Sequence, residues 1–411
     1  MNCKLLQGLT FGLVAAFALS AAVVAQTKIA PGQLSVRAWA GKPRLTWTQI
    51  QALKTAKTGH IPLWTYGLVA ARDGKQYQGV MVGDDPTNPN SGQQDVPTPV
   101  VPAVYIFNVI ATGINEDGSF QTKPGITVFD PTVADDACMA APNDVPITVA
   151  LQSPVFTATD VYFGGTFIGH TQFVDAFQRA NFWQKIDQTK YHVVLNPVTQ
   201  QQAIVLNIPP ASGVAIPPDL FQNPPCGPLG ILDINLLDNT IQRSILPQLY
   251  QQGIDQTTFP NFVQYNTVMS IGPPNIHTCC ALGYHNEALF LNTLTFSVAD
   301  FNMLGIFGPE LMDSAILSHE VAEWMDDPFT WNLTPAWGHI GQVQGCQNNL
   351  EVGDPLTGTV AYLVTNNNTG FQYHEQELAF FSWFFGGPSI GLNGWFSNAG
   401  TFLTDAGPVC H

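Results

Sequence analysis

A chain of 411 residues with a formal net charge of −16 is long enough for one large or two medium domains. That charge excludes general binding to nucleic acid or to an anionic membrane surface. All fourteen Lys and Arg lie at or before Arg243, whereas seven of the eight Glu fall between Glu287 and Glu377. A buried carboxylate needs a cation or several hydrogen-bond donors. After Arg243, carboxylates must therefore be solvated, bonded to backbone and hydroxyls, protonated, or bound to metal. Scarce Lys and Arg equally suit a protein built for acidic surroundings.

Met1 to Ala25 reads as a secretory signal: Lys4 is its only charge, Leu9 to Val24 is apolar, and Val23-Val24-Ala25 offers small residues for cleavage. An uncleaved anchor is the alternative. The most apolar later stretch, Ala288 to Phe307, is interrupted by Asn292, Thr293, Thr295, Ser297, Asp300 and Asn302, too polar to span a bilayer. The expected mature protein is secreted, extracellular or periplasmic, with no membrane attachment once the signal is cleaved. Cys138, Cys226, Cys279, Cys280, Cys346 and Cys410 remain after the signal. Six cysteines in an oxidising compartment point to three disulfides, with fifteen connectivities open. Neighbours seldom bond each other, so Cys279 and Cys280 are expected to reach different partners. No pair has the C-x-x-C spacing of a zinc ribbon.

Residues 26–150 form a β-rich, irregular N-terminal region. "TWTQIQALKTA" (Thr46 to Ala56) predicts a short helix, and "QGVMVG" and "AVYIFNVIA" predict strands. Asp84 to Pro102 is punctuated by Pro, Asn and Gly and reads as a loop or linker. Pro146 to Phe156 reads as a strand. Residues 151–411 have a different texture. From His170 to Ile186, Phe173, Ala176, Phe177, Ala180 and Trp183 recur at helical spacing, with Thr171 as a candidate cap. "KYHVVLN" and "QAIVLNIP" predict strands, and "LDNTIQRSILPQLY" a helix interrupted at Pro247. "YNTVMSIG" and "ALFLNTLTFSVA" predict further strands. The tail from Tyr373 is dense in Phe and Trp; those rings fit core packing better than sugar stacking.

Between the last strands and the tail stands "LSHEVAEWMDDP", Leu317 to Pro328. Pro309 upstream suits a first helical turn, and Pro328 stops the run. Residues four apart on a helix lie one above the other, so His319 and Glu323 point the same way and Glu320 sits about 100° round. That is the arrangement by which a first and a fifth residue hold zinc while the second reaches a water. Here Glu replaces the second His of the usual motif, an allowed zinc ligand. Ile316, Leu317, Val321, Ala322, Trp324 and Met325 around the charges argue for burial rather than a solvated charge cluster. Glu351 in "NNLEVGDP" is the expected third ligand, with Asp354 as its partner or substitute. His339 and His285, the latter in "GYHNE", are the other candidates. The expected cofactor is Zn2+, with Ca2+ also open.

The order "GYHNE", "SHEVAEWMDDP", "EVGDP" resembles the EXORDIUM or phosphate-induced protein family, and its exported bacterial relatives in particular. His285 matches the first motif of that family. His319, Glu320, Asp327 and Pro328 match the second, and Glu323 matches its bacterial form. Glu351, Gly353 and Asp354 match the third. The likeness covers roughly residues 150–411 and implies an extracellular protein linked to growth or the cell wall. Plant members lack a carboxylate at the Glu323 position, and Cys279-Cys280-Ala281-Leu282 departs from the Cys-Gly-Tyr-His stretch.

The expected fold is α+β: a β-rich N-terminal half, then a zincin-like layer of sheet and helix carrying the His-Glu pair. The expected function is a secreted metal-dependent hydrolase, a peptidase by preference. His319, Glu323 and Glu351 would hold the metal, and Glu320 would act as general base. The alternative is a non-catalytic extracellular protein that binds cell-wall or matrix material and uses the same residues structurally. An open coordination position in a cleft separates the two.

Overall fold

The computed structural model describes residues 28–410 apart from 40, 42–43, 57–58, 289–292, 344 and 409. The expected signal, Met1 to Ala25, lies outside the described residues. In chain order the structure begins with α1 (Trp47–Ala56), the hairpin β1 (Leu63–Val69) and β2 (Gln76–Val82), the long β3 (Gln93–Ile114), β4 (Phe120–Phe129) and α2 (Pro146–Leu151). There follow β5 (Thr159–Phe163), β6 (Thr166–Thr171), α3 (Phe173–Asn181), α4 (Trp183–Ile186), β7 (His192–Gln200), β8 (Ile204–Ile208), β9 (Gly213–Ile216) and β10 (Leu229–Asp233). Next come α5 (Ile234–Thr240), a π-helical turn (Ile241–Ile245), α6 (Leu246–Gln251), β11 (Asn261–Tyr265), β12 (Thr267–Ser270), β13 (Cys279–Ala281), β14 (Gly283–Ala288) and β15 (Leu294–Phe301). The last elements are α7 (Ala315–Asp326), β16 (Leu333–Gly338), β17 (Cys346–Asn349), β18 (Ala361–Thr365), β19 (Gln372–Gln376) and α8 (Phe381–Phe385).

Eleven strands make one mixed sheet in the order β13-β12-β10-β9-β3-β11-β15-β14, with β4, β7 and β8 also paired to β3. At roughly 3.3 Å per residue, β3 is long enough to serve several partners in succession. Its first part runs parallel to β7, its middle to β11 and β8, and its last part antiparallel to β4. The two ends of the sheet path, β13 and β14, are separated in the chain by Leu282 alone, so the sheet comes close to closing on itself. Strands from both sides of residue 150 contribute to it.

α7 lies against β14, β15, β2, β19 and α3, and all twelve of its residues are buried. Ala, Leu, Glu and Met favour the helix, and packing on every side supplies the rest of its stability. Its longest apolar side chain, Trp324, stacks on Phe259 with ring centres 3.6 Å apart and donates its indole N–H to Thr295. Pro328 ends the helix, and Asp327 before it leaves helical conformation (φ −143°, ψ 68°). Pro309 opens a separate 3₁₀ turn, Pro309–Leu311, rather than α7 itself.

The structure corrects several readings. Asp84 to Pro102 is not all loop, because Gln93 onward belongs to β3. Proline lacks an N–H, yet a bulge between Val96 and Thr98 accommodates Pro97, and the register resumes at Thr98. Pro146 to Leu151 is a helix rather than a strand: Pro146 suits its first turn, and Ile147, Val149 and Ala150 are buried by it. Thr171 does not cap α3. Gln172 holds the cap position, and the Thr171 hydroxyl donates to Asp175 instead. The break near Pro247 is a π turn that precedes the proline. The tail aromatics Phe380, Trp383, Phe384 and Phe385 are core residues.

Three disulfides join Cys138 to Cys226, Cys346 to Cys410 and Cys279 to Cys280. The expectation that Cys279 and Cys280 reach different partners is therefore overturned. A trans peptide holds neighbouring Cα atoms about 3.8 Å apart, but the bond between these two is cis and their Cα atoms are 3.1 Å apart. The Cys138–Cys226 and Cys346–Cys410 disulfides close long stretches of chain and on loop entropy are worth about 4 kcal/mol each. No helix among the described residues is long and apolar enough to cross a membrane.

Candidate metal centre

Three pieces of chain meet at β14. α7 supplies His319, Glu320 and Glu323. β14 supplies His285, and the segment after β17 supplies Glu351 and Asp354. All six side chains are buried. Two glycines make this convergence fit. A Cβ at Gly283 would stand 2.5 Å from Oε1 of Glu320, and one at Gly353 would stand 2.5 Å from Nδ1 of His319.

Both imidazoles are oriented from behind. His285 Nε2 lies 3.0 Å from the carbonyl of Asp327, which can only accept, so Nε2 carries the proton. The Gln376 side chain donates through Nε2 to the carbonyl of Gly353 (2.6 Å), which fixes its oxygen as the partner of His319 Nδ1 at 2.9 Å. His319 Nδ1 is thus the donor. In the neutral rings the remaining lone pairs, Nδ1 of His285 and Nε2 of His319, face the carboxylates. This is how a protein prepares histidine for a metal.

The spacing agrees. Nε2 of His319 is 3.0 Å from Oε1 of Glu323 and 3.6 Å from Oδ1 of Asp354. Ligands at about 2.0–2.1 Å around a tetrahedral ion stand about 3.3 Å apart. Nδ1 of His285 is 3.7 Å from Oε2 of both Glu320 and Glu323, too long for hydrogen bonds. His319, Glu323 and Asp354 form one group with ligand atoms within 4.8 Å of one another, and His285, Glu320 and Glu323 form a second. Asp354 therefore joins His319 and Glu323, whereas Glu351 approaches His285, its Oε2 lying 3.8 Å from Nε2. His339 stands apart. It bonds the carbonyl of Gly345 and the side chain of Gln347, and Gln347 donates in turn to Asp354.

Without a cation, protons take its place. Burial alone would lower the His319 imidazole, but the charges of Glu323, Glu320 and Asp354 outweigh it and hold the pKa well above the usual value. His285 behaves alike under Glu351, Glu320 and Glu323. Burial pushes the Glu320 carboxyl up to about 7 and Asp354 up to about 6, and lifts Glu351 well above the ordinary range with help from Glu323. Glu323 is lowered: the neighbouring His319 and His285 overcome its burial. Glu323 also accepts the N–H groups of Gly353 and Asp354 through Oε1.

A cavity of about 30 Å³ opens in front of the cluster and is lined on its other side by Val36, Arg37, Ala38 and Trp39. This N-terminal segment is sewn to β13: Cys280 N–H donates to Ser35 and Arg37 N–H donates to Cys280. The Arg37 guanidinium adds bonds to the carbonyls of Cys279 and His277. Further along, the N–H groups of Arg44 and Leu45 donate to Glu287 on β14. The cavity has room for a water or two, too little for a substrate in this arrangement.

Gln376, Gly283 and the N-terminal segment were not singled out from sequence. A lone amide carries no chemical signature, and both glycines became readable only through the side chains they admit. Compared with known proteins, the chain matches no family model, no curated protein and no solved structure.

Proposed function

We propose that this chain is a secreted metal-dependent hydrolase, with a peptide as the preferred substrate. The observation that carries the reading is the pair of imidazoles whose outward hydrogen bonds leave both inner lone pairs aimed at buried carboxylates. His319, Glu323 and Asp354 would hold the ion. The nitrogen donors favour zinc over calcium, which takes six to eight oxygens. A divalent cation there supplies Lewis acidity toward a carbonyl. Glu320, buried with Oε1 3.9 Å from His319 Nε2, is placed to accept a proton from an attacking water, and its raised pKa suits that task. The zincin-like arrangement of edge strand and helix belongs to this proposal, as does the resemblance to the exported EXORDIUM-like proteins. The three disulfides support an oxidising compartment.

The small size of the cavity favours a second reading, in which the ion is structural and the protein binds cell-wall or matrix material without catalysis. Elemental analysis of the purified protein and assay on peptide and ester panels decide. Zinc present, with hydrolysis that Glu320→Gln abolishes, supports the hydrolase. Zinc present without hydrolysis, even after the segment over the site is loosened, supports the structural ion. Absence of any bound metal overturns both forms of the metal reading.

A further inference from the structure

Glu323 does not serve one histidine. Its Oε1 is 3.0 Å from His319 Nε2 and its Oε2 is 3.7 Å from His285 Nδ1. Glu320 divides in the same way, with Oε1 3.9 Å from His319 Nε2 and Oε2 3.7 Å from His285 Nδ1. Two neighbouring carboxylates thus span two imidazoles, each of which presents a lone pair. On the His285 side, two buried carboxylate oxygens lack any hydrogen-bond partner, Glu320 Oε2 and Glu351 Oε2. A buried acceptor left unpaired is costly, and a single ion on the His319 side would satisfy neither.

The charge count points the same way. Glu320, Glu323, Glu351 and Asp354 bring four negative charges into one buried cluster when ionised. No Lys or Arg follows Arg243. Among the residues lining the cavity, Arg37 is the one Lys or Arg, and its guanidinium is turned to the carbonyls of Cys279 and His277. One divalent ion leaves half of that charge uncompensated, and two neutralise it.

We infer that the centre binds two divalent cations bridged by Glu323, the first on His319, Glu323 and Asp354 and the second on His285, Glu323 and Glu320. Glu351 lies beside the second ion and completes its surroundings. The inference rests on the metal reading above and deepens it. A two-cation centre would hold an attacking water and polarise the oxygen of the group it attacks, as in aminopeptidases, so esters and amides become the substrate class. Glu320 would bind through Oε2 and keep Oε1 toward the His319 side for proton transfer.

The test uses the full chain, stripped with chelator and reloaded separately with zinc and with manganese. Two equivalents of zinc per chain are expected, falling to one in His285→Gln and to one in His319→Ala. Manganese-loaded wild type should show the broad, exchange-coupled resonance of a manganese pair, a readout that depends on no variant and so survives poor folding of either substitution. One equivalent of zinc together with the six-line signal of an isolated manganese ion would overturn the second site and leave the single-ion reading standing. No retained metal would overturn both.

Discussion

The His319 imidazole and the Gln376 side chain are joined across 2.9 Å, and this one bond decides which edge of the ring faces the carboxylates. Gln376 is itself held by its donation to Gly353 and by its backbone N–H to the Ser318 hydroxyl. The chain Gly353–Gln376–His319 therefore acts on the ion from outside the ligand set. Outer partners of this kind are typically worth about 10–100-fold in metal affinity. Gln376→Ala is expected to weaken zinc by that margin while the far-ultraviolet dichroism stays native. A chromophoric chelator competition measures it, and unchanged affinity would reduce Gln376 to a packing residue.

Gly353 offers a steric version of the same test. Its φ of −83° suits any residue, so alanine brings no backbone strain. Its Cβ would nevertheless press on the His319 ring at 2.5 Å. Gly353→Ala should displace the imidazole and lower metal content more than it lowers the melting temperature. Gly92→Ala, where nothing lies within 4 Å of the new atom, is the control and should change neither. Equal metal content in the two variants would argue that the ring can retreat without consequence.

The pH dependence of the metal-free protein has a definite sign. Burial raises Asp300 and Asp326 to about 8 and Glu287 to about 7, and lifts Glu375 well above the carboxylate range. Unfolded carboxylates titrate near 4. Between those values the native state holds more protons than the unfolded state, so stability falls as pH rises. His285 and His319 act in the same direction: their contribution is complete below about 6.5 and is lost as pH climbs through their raised folded values. In chelator, the melting temperature should be higher at pH 5 than at pH 8. Zinc should shrink the difference, because the cation replaces protons on the cluster and its binding strengthens as pH rises. A melting temperature that climbs steadily from pH 5 to pH 8 in chelator would show that these carboxylates have partners which keep them charged.

Much of the cluster was legible because its logic is local. The spacing of His319, Glu320 and Glu323 is a property of one helix, and "GYHNE" and "EVGDP" place His285, Glu351 and Asp354 in short motifs. The choice between Glu351 and Asp354 was not legible. It depends on how the chain turns at Gly353, where backbone N–H groups fold back onto Glu323. The fold was less readable than the site. β3 begins in a stretch whose prolines announce a loop, and its pairing with β7 rescues it. The helix at Pro146 overrides a run that would suit a strand, because tertiary burial outweighs weak local preference. The disulfide between Cys279 and Cys280 depends on peptide geometry that composition does not reveal. Nothing in residues 35–39 signals their position across a site some 250 residues further along the chain.

That segment yields the last prediction. Val36 to Trp39 line the small cavity at the cluster, so displacing them would widen it, and the side chain of Arg37 holds the segment by bonds to Cys279 and His277. Bonds from a charged donor contribute about 1.5–3 kcal/mol each when well buried; these are partly solvent-exposed, so about 1–2 kcal/mol for the pair is a fair expectation. Arg37→Ala should therefore raise the open fraction of the segment by roughly 10-fold, about 1.4 kcal/mol. The direct readout is the rate at which excess dipicolinate strips zinc from the protein. It should rise by a similar factor, with zinc stoichiometry and native dichroism unchanged, because the Arg37 side chain hydrogen-bonds none of the proposed ligands. If hydrolysis limits on access, activity toward small esters should rise in parallel. A stripping rate equal to wild type would place the entry path elsewhere, and a rate that rises without any hydrolysis would favour the structural ion over the catalytic one.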